Sequence, residues 1–110
     1  MRDSLGRAMT HQIVEPIKAD LGSFLQELAK LGYQLTSSTY DASHFGDYIV
    51  ELNSTNGWLR IVRDRGQYYV TVASEENLKQ ADLWRVFDDR GEFESRVLTW
   101  LRQTRGLTSA

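Results

Sequence analysis

The chain has no cysteine. This excludes a disulfide framework, a thiolate metal site and a cysteine nucleophile together, and it fits a reducing cytoplasm. Proline occurs once, at Pro16, so helix and strand interiors are left almost unbroken. No window approaches the roughly 18 apolar residues that a membrane helix needs. The opening stretch MRDSLGRAMTHQIVEP carries acids and lacks the apolar centre of a secretory leader. The expectation is a cytoplasmic protein with no membrane association. Histidine is scarce as well, with His11 and His44 alone, and no His-x-x-x-His spacing exists for a metal.

What is present suits one folded domain spanning residues 1–110, with residues 1–10 expected to fray because they show no steady period. At 41% hydrophobic and 25% charged residues, a chain of this length can bury a core without metal or disulfide support.

The strongest folding signal is FGDYIVELNSTNGWLRIVRDRGQYYVTVA, Phe45 to Ala73. It reads as three strands, Asp47 to Asn53, Trp58 to Asp64 and Gln67 to Ala73, joined by turns at Ser54 to Gly57 and at Arg65-Gly66. The first turn sets Val50 opposite Ile61, Leu52 opposite Leu59 and Glu51 opposite Arg60. The second sets Ile61 opposite Val70, Leu59 opposite Val72 and Arg63 opposite Tyr68. Both registers place Tyr48, Val50, Leu52, Leu59, Ile61, Tyr68, Val70 and Val72 on one face, and a one-residue slip in either hairpin would destroy that agreement. Tyr33 to Tyr40 is expected to add an edge strand with Tyr33, Leu35, Ser37 and Thr39 on one side.

Around the strands the period changes to that of a helix. Ile13, Ile17, Leu21, Phe24, Leu28 and Leu31 form an apolar stripe with Pro16 in the first turn and Gly32 as the stop. Leu78, Ala81, Trp84 and Phe87 suggest a short helix with Asp82 as a candidate cap. Phe93, Val97, Trp100 and Leu101 mark a C-terminal helix ended by Gly106. Asp64-Arg65-Gly66-Gln67 and Asp89-Arg90-Gly91-Glu92 both have the composition of tight turns. The fold class is therefore α+β: a four-stranded antiparallel meander with an N-terminal helix and two C-terminal helices packed on one face.

Motifs for chemistry are missing. There is no Gly-x-Ser-x-Gly and no phosphate-cradling glycine loop, and the adjacent acids Asp88-Asp89 and Glu75-Glu76 diverge by about 100° on a helix. The expectation is a non-enzymatic protein without a cofactor or metal, in which His11 and His44 have no role. Trp58, Arg60, Arg63, Arg65, Tyr68 and Tyr69 have the types used to bind single-stranded nucleic acid. Strand alternation divides them between two faces, however, and the pI of about 5.6 argues against a general phosphate-binding surface.

Two surfaces remain for a protein partner. The outer sheet face collects Ile49, Glu51, Trp58, Arg60, Val62, Tyr69 and Thr71, and Trp, Tyr and Arg are the types enriched in binding hot spots. Its value depends on whether Trp84 or the C-terminal helix covers it. From Glu75 to Glu94 the acids outnumber the bases, with Asp88, Asp89 and Glu92 able to mimic the phosphates of a nuclease substrate. The candidate partner-binding residues are thus Glu51, Trp58, Arg60, Tyr69, Asp88 and Asp89.

The run Trp58-Leu59-Arg60-Ile61-Val62-Arg63-Asp64-Arg65-Gly66-Gln67, with Phe45-Gly46-Asp47 ahead and a Trp-containing helical segment behind, resembles a pattern in small uncharacterised bacterial proteins. Some of those resemble immunity proteins of polymorphic toxin and contact-dependent inhibition systems, and the likeness covers Tyr33 to Phe87. The resemblance implies a small cytosolic protein without catalytic residues that binds and neutralises a cognate toxin, and it transfers no functional residue by position. A secretion chaperone, which would form a homodimer without its client, is the alternative protein-binding reading. A single-stranded nucleic-acid module using Trp58, Arg60 and Tyr69 is the other.

Overall fold

The computed structural model describes residues 13–109, with side chains described for 13–103. The elements are α1 (Glu15–Lys30), β1 (Gln34–Asp41), β2 (Asp47–Ser54), β3 (Gly57–Asp64), β4 (Gln67–Val72), α2 (Glu75–Gln80) and α3 (Arg90–Ser109). The expected fraying of residues 1–10 and the position of His11 lie outside the described residues.

The strands form one antiparallel meander in the order β1-β2-β3-β4. Both hairpin registers are those read from the sequence: Val50 pairs with Ile61, Glu51 with Arg60, Ile61 with Val70 and Arg63 with Tyr68. The second turn places Arg65 at φ 52° and Gly66 at φ 82°. Two successive positive φ angles match the right-handed twist of the flanking strands, and they favour Gly at the second position.

All three helices lie against the inner face. Ile17, Leu21, Phe24 and Leu28 of α1, Leu78 of α2, and Phe93, Val97 and Leu101 of α3 are buried over Val50, Leu52, Leu59, Ile61 and Val70. Phe93 joins the layers, with its ring 5.9 Å from Phe24, 5.7 Å from Tyr68 and 5.6 Å from Phe87. α1 ends as Gly32 predicts. Gly32 has φ 94°, its N–H reaches Ala29 O, and Tyr33 N–H reaches Leu28 O at 3.0 Å, which is a left-handed helix stop with Leu28 and Tyr33 buried beside each other.

Five local expectations are corrected. A bulge between Leu35 and Ser37 shifts β1, so Ser37 and Thr39 pair with outer-face Glu51 and Ile49, away from the side of Leu35. The shift is stabilised by Thr36 Oγ1 donating to Glu51 O at 3.1 Å. Asp82 ends α2 where it was expected to start a helix. At φ 60° it occupies the place Gly32 has after α1, with Asp82 N–H on Lys79 O and Leu83 N–H on Leu78 O at 2.8 Å. The N-cap of α2 is Ser74, whose side chain accepts from Asn77 N–H. Trp84 and Phe87 consequently lie beyond α2, and Phe87 forms a short bridge to β4, with Tyr68 N–H to Phe87 O at 2.8 Å and Phe87 N–H to Tyr68 O at 2.7 Å. Asp89-Arg90-Gly91-Glu92 is the start of α3, because the Asp89 carboxylate accepts from Glu92 N–H and caps the helix. Gly106 does not end α3, which runs to Ser109; one glycine costs a helix only about 1 kcal/mol.

Candidate functional site

With the helices on the inner side, no described element covers the outer face of the sheet. Strand registers arrange it in rows. Thr39, Ile49, Val62 and Tyr69 form one row; Ser37, Glu51, Arg60 and Thr71 form the next; Asn53 and Trp58 follow. Trp58 is 43% exposed and Ile49 is 41% exposed, while Val62 between Ile49 and Tyr69 is buried by its neighbours. Trp84 is 46% exposed and borders this face on its β4 side, where Trp84 and Val86 share a cavity of about 240 Å³ with Tyr69 and Thr71.

The centre of the face is an ordered polar ladder. Ser37 Oγ donates to Glu51 Oε1 at 2.7 Å, and Arg60 Nε donates to Glu51 Oε2 at 2.8 Å. These hydrogen bonds hold the Glu51 carboxyl below the usual carboxylate range. The Arg60 guanidinium lies 5.7 Å from the Trp58 ring centroid, so carboxylate, guanidinium and indole are held in sequence along the surface. Such an arrangement presents a large aromatic contact whose polar neighbours have already been oriented.

Of the candidate residues, Glu51, Trp58 and Arg60 are brought together, and Tyr69 is the diagonal neighbour of Arg60 across β3 and β4. Asp88 and Asp89 do not join them. Asp88 Oδ1 accepts from Gln67 Nε2 at 2.7 Å, and Asp89 is the cap of α3. Their acidic neighbours are met by arginines: Asp82 by Arg85 and Arg96, Glu92 by the same pair, and Glu94 by Arg90. Asp82, Glu92 and Glu94 are thus matched by surface arginines, while Asp88 and Asp89 are engaged by Gln67 and by the start of α3.

Acids also border the outer face where sequence had not singled them out. Asp41 and Asp47 pair across β1 and β2, Asp64 stands opposite Gln67, and Asp41, Asp47, Asp64 and Ile49 line one shallow cavity. Together with Glu51 at the centre, they give nucleic-acid phosphates an unfavourable surface even though Trp58, Arg60 and Tyr69 share it.

A highly connected polar group lies on the other side. Asp20 of α1 accepts from Tyr48 Oη at 2.5 Å, Tyr68 Oη at 2.9 Å and Arg90 Nη1 at 2.9 Å, with Arg63 Nε 3.9 Å away. Burial alone would raise the Asp20 pKa, but hydrogen bonds from Tyr48, Arg90 and Tyr68 outweigh it and hold the carboxyl below its ordinary value. Burial, and then hydrogen bonding to Asp20, push both tyrosine hydroxyls up. Burial raises Glu94 as well. Asp20 was legible in principle, since Ile17, Asp20 and Phe24 follow the same spacing of three and four as the apolar stripe. A carboxylate in that phase must find partners.

His44 sits in an exposed turn with Asp41 and Ser43. Asp41 Oδ2 and Ser43 Oγ both approach the same ring nitrogen, Nδ1, at 2.5 and 3.2 Å. A relay from acid to base to nucleophile needs the acid and the hydroxyl on opposite nitrogens. The observed geometry instead closes the turn, with Asp41 Oδ1 also accepting from Ser43 N–H. Among the described residues no group of three or more His, Cys, Asp or Glu side chains could hold a metal ion, and no helix is long and apolar enough to cross a membrane. Compared with protein-family models, with curated proteins and with solved structures, the chain matches none.

Proposed function

We propose that this chain is a cytosolic, non-catalytic protein-binding domain that docks its partner on the outer sheet face, acting as an immunity protein that neutralises a cognate toxin. The observation that carries the docking surface is the exposed Trp58, stacked near Arg60 while Arg60 is fixed by Glu51. Trp58 supplies area to desolvate, and the Glu51–Arg60 pair supplies oriented hydrogen-bonding groups around it. Helices on one side alone keep this face open, and the arginine pairing around Asp82 and Glu92 makes the sheet a better contact than the acidic segment. The immunity role rests on the sequence resemblance together with this open face.

The test is co-expression of the tagged chain with the product of the gene beside its own, followed by affinity capture and a growth assay. The proposal expects a stoichiometric complex, loss of the partner's toxicity, and loss of both with Trp58→Ala at unchanged folding. Tight, salt-sensitive binding of single-stranded RNA by the isolated chain, without a protein complex, would overturn it.

A further inference from the structure

The two edges of the sheet are finished differently. The β4 edge is closed at Tyr68 by the Phe87 bridge. No described strand lies outside β1. β1 contains neither lysine nor proline, the residues that commonly blunt an exposed edge, and its single charged residue is Asp41 at its end. Its bulge lies near the start and leaves Ser37 to Asp41 in regular pairing with β2. On the helix side of this open edge runs a groove of about 600 Å³ between α1 and β1, lined by Ile13, Leu25, Ala29, Tyr33, Leu35 and Leu52.

We propose that β1 pairs antiparallel with β1 of a second copy of this chain, joining two four-stranded sheets into one, with α1 of each copy closing the other's groove. A two-fold axis normal to the sheet puts both α1 helices on the same side and runs them antiparallel. The acidic first turn of each, at Glu15, is thereby turned towards the basic last turn of the other, at Lys30. Pairing centred on Ser37 to Thr39 keeps the two Asp41 side chains apart, so no like charges stand opposite each other. The groove itself carries Glu15 and Lys18, one of each sign, which suits a second copy better than a strongly charged partner. Gly22 and Ala29 on the groove side of α1 leave room for a facing helix. The outer face stays open in this dimer, so the inference goes beyond the proposed function and does not depend on it.

Sedimentation equilibrium of the full chain across the micromolar range tests it. The expected mass is twice 12.7 kDa at high concentration, falling towards the monomer on dilution. Ala29→Arg, at an exposed helical position, should raise the dimer dissociation constant about tenfold or more with unchanged circular dichroism, whereas Trp58→Ala should leave it unchanged. Amide exchange of Ser37 to Asp41 in the unmodified chain reads the same interface without a substitution, and protection there should rise with protein concentration. A monomer at every concentration, a dimer unaffected by Ala29→Arg, a dimer lost with Trp58→Ala, or concentration-independent protection of β1 would each overturn the inference.

Discussion

The hydroxyl of Tyr68 on β4 donates to Asp20 on α1 at 2.9 Å, joining positions 48 residues apart in the chain. Tyr48 of β2 and Arg90 of α3 meet the same carboxylate, so one acid ties two helices to two strands. Asp20→Ala should therefore lower the unfolding free energy by about 2 to 4 kcal/mol, because it leaves two partly buried hydroxyls without their acceptor and takes from Arg90 one of its two carboxylate partners. Asp20→Asn, which keeps an acceptor oxygen, should cost less. Urea unfolding of the two variants measures both, and an Asp20→Ala midpoint equal to wild type would contradict the account of this cluster.

The same cluster contributes to the pH dependence. The Asp20 carboxyl is held below its ordinary value of 3.8 in the fold, so its contribution is present above that value and is lost as pH falls through the lower folded value. Glu94 is shifted the other way and opposes folding as it ionises, which blunts the acid side. Tyr48 and Tyr68 are both raised above 10.0, so the unfolded chain ionises first and stability should fall as pH climbs past about 10. Thermal unfolding from neutral to alkaline pH should show this loss, and Tyr48→Phe should reduce it. An alkaline limb of unchanged slope in Tyr48→Phe would contradict the assignment.

The buried row Val50, Ile61 and Val70 supplies a sharper contrast between faces. Ile61 is fully buried, and Ile61→Ala should cost about 2 to 5 kcal/mol. Glu51→Ala, on the opposite face with a partly exposed ion pair, should barely move the unfolding midpoint. Denaturant titration separates the two, and equal losses would mean that the faces are inverted.

The hairpins could be read in advance because alternation in three strands and two short turns imposed the same register twice. β1 could not, since the run Thr36-Ser37-Ser38-Thr39 has no apolar alternation to reveal that Thr36 bulges. Asp82 was misplaced for a related reason. Asp is common at helix starts, and only the pairing of buried Leu78 with buried Leu83 shows that it fills the left-handed position usually given to glycine. Phe87 follows the helical spacing of Leu78, Ala81 and Trp84, yet its backbone serves β4. For the candidate site, the membership of the outer face was legible from alternation, but whether a helix or Trp84 covered it was not, because alternation assigns residues to a face without saying what packs on it. That Asp88 and Asp89 serve Gln67 and the start of α3 required the three-dimensional contacts.

His44 belongs to a turn whose polar contacts are local and exposed. His44→Ala should leave partner binding and the unfolding midpoint within about 0.5 kcal/mol of wild type. Loss of activity in a folded His44→Ala protein would bring an acid-base or metal role back into consideration.

The central claim is that Trp58 and its neighbours on the outer face carry partner recognition. Its most direct measurement is calorimetric titration of the captured partner with wild type, Trp58→Ala, and a double Asp88→Asn, Asp89→Asn variant that keeps a capping side chain at the start of α3. The account predicts that Trp58→Ala weakens binding by about 2 kcal/mol or more, roughly 30-fold, while the double variant binds as wild type does. Unchanged affinity in Trp58→Ala, with a large salt-dependent loss in the double variant, would contradict it.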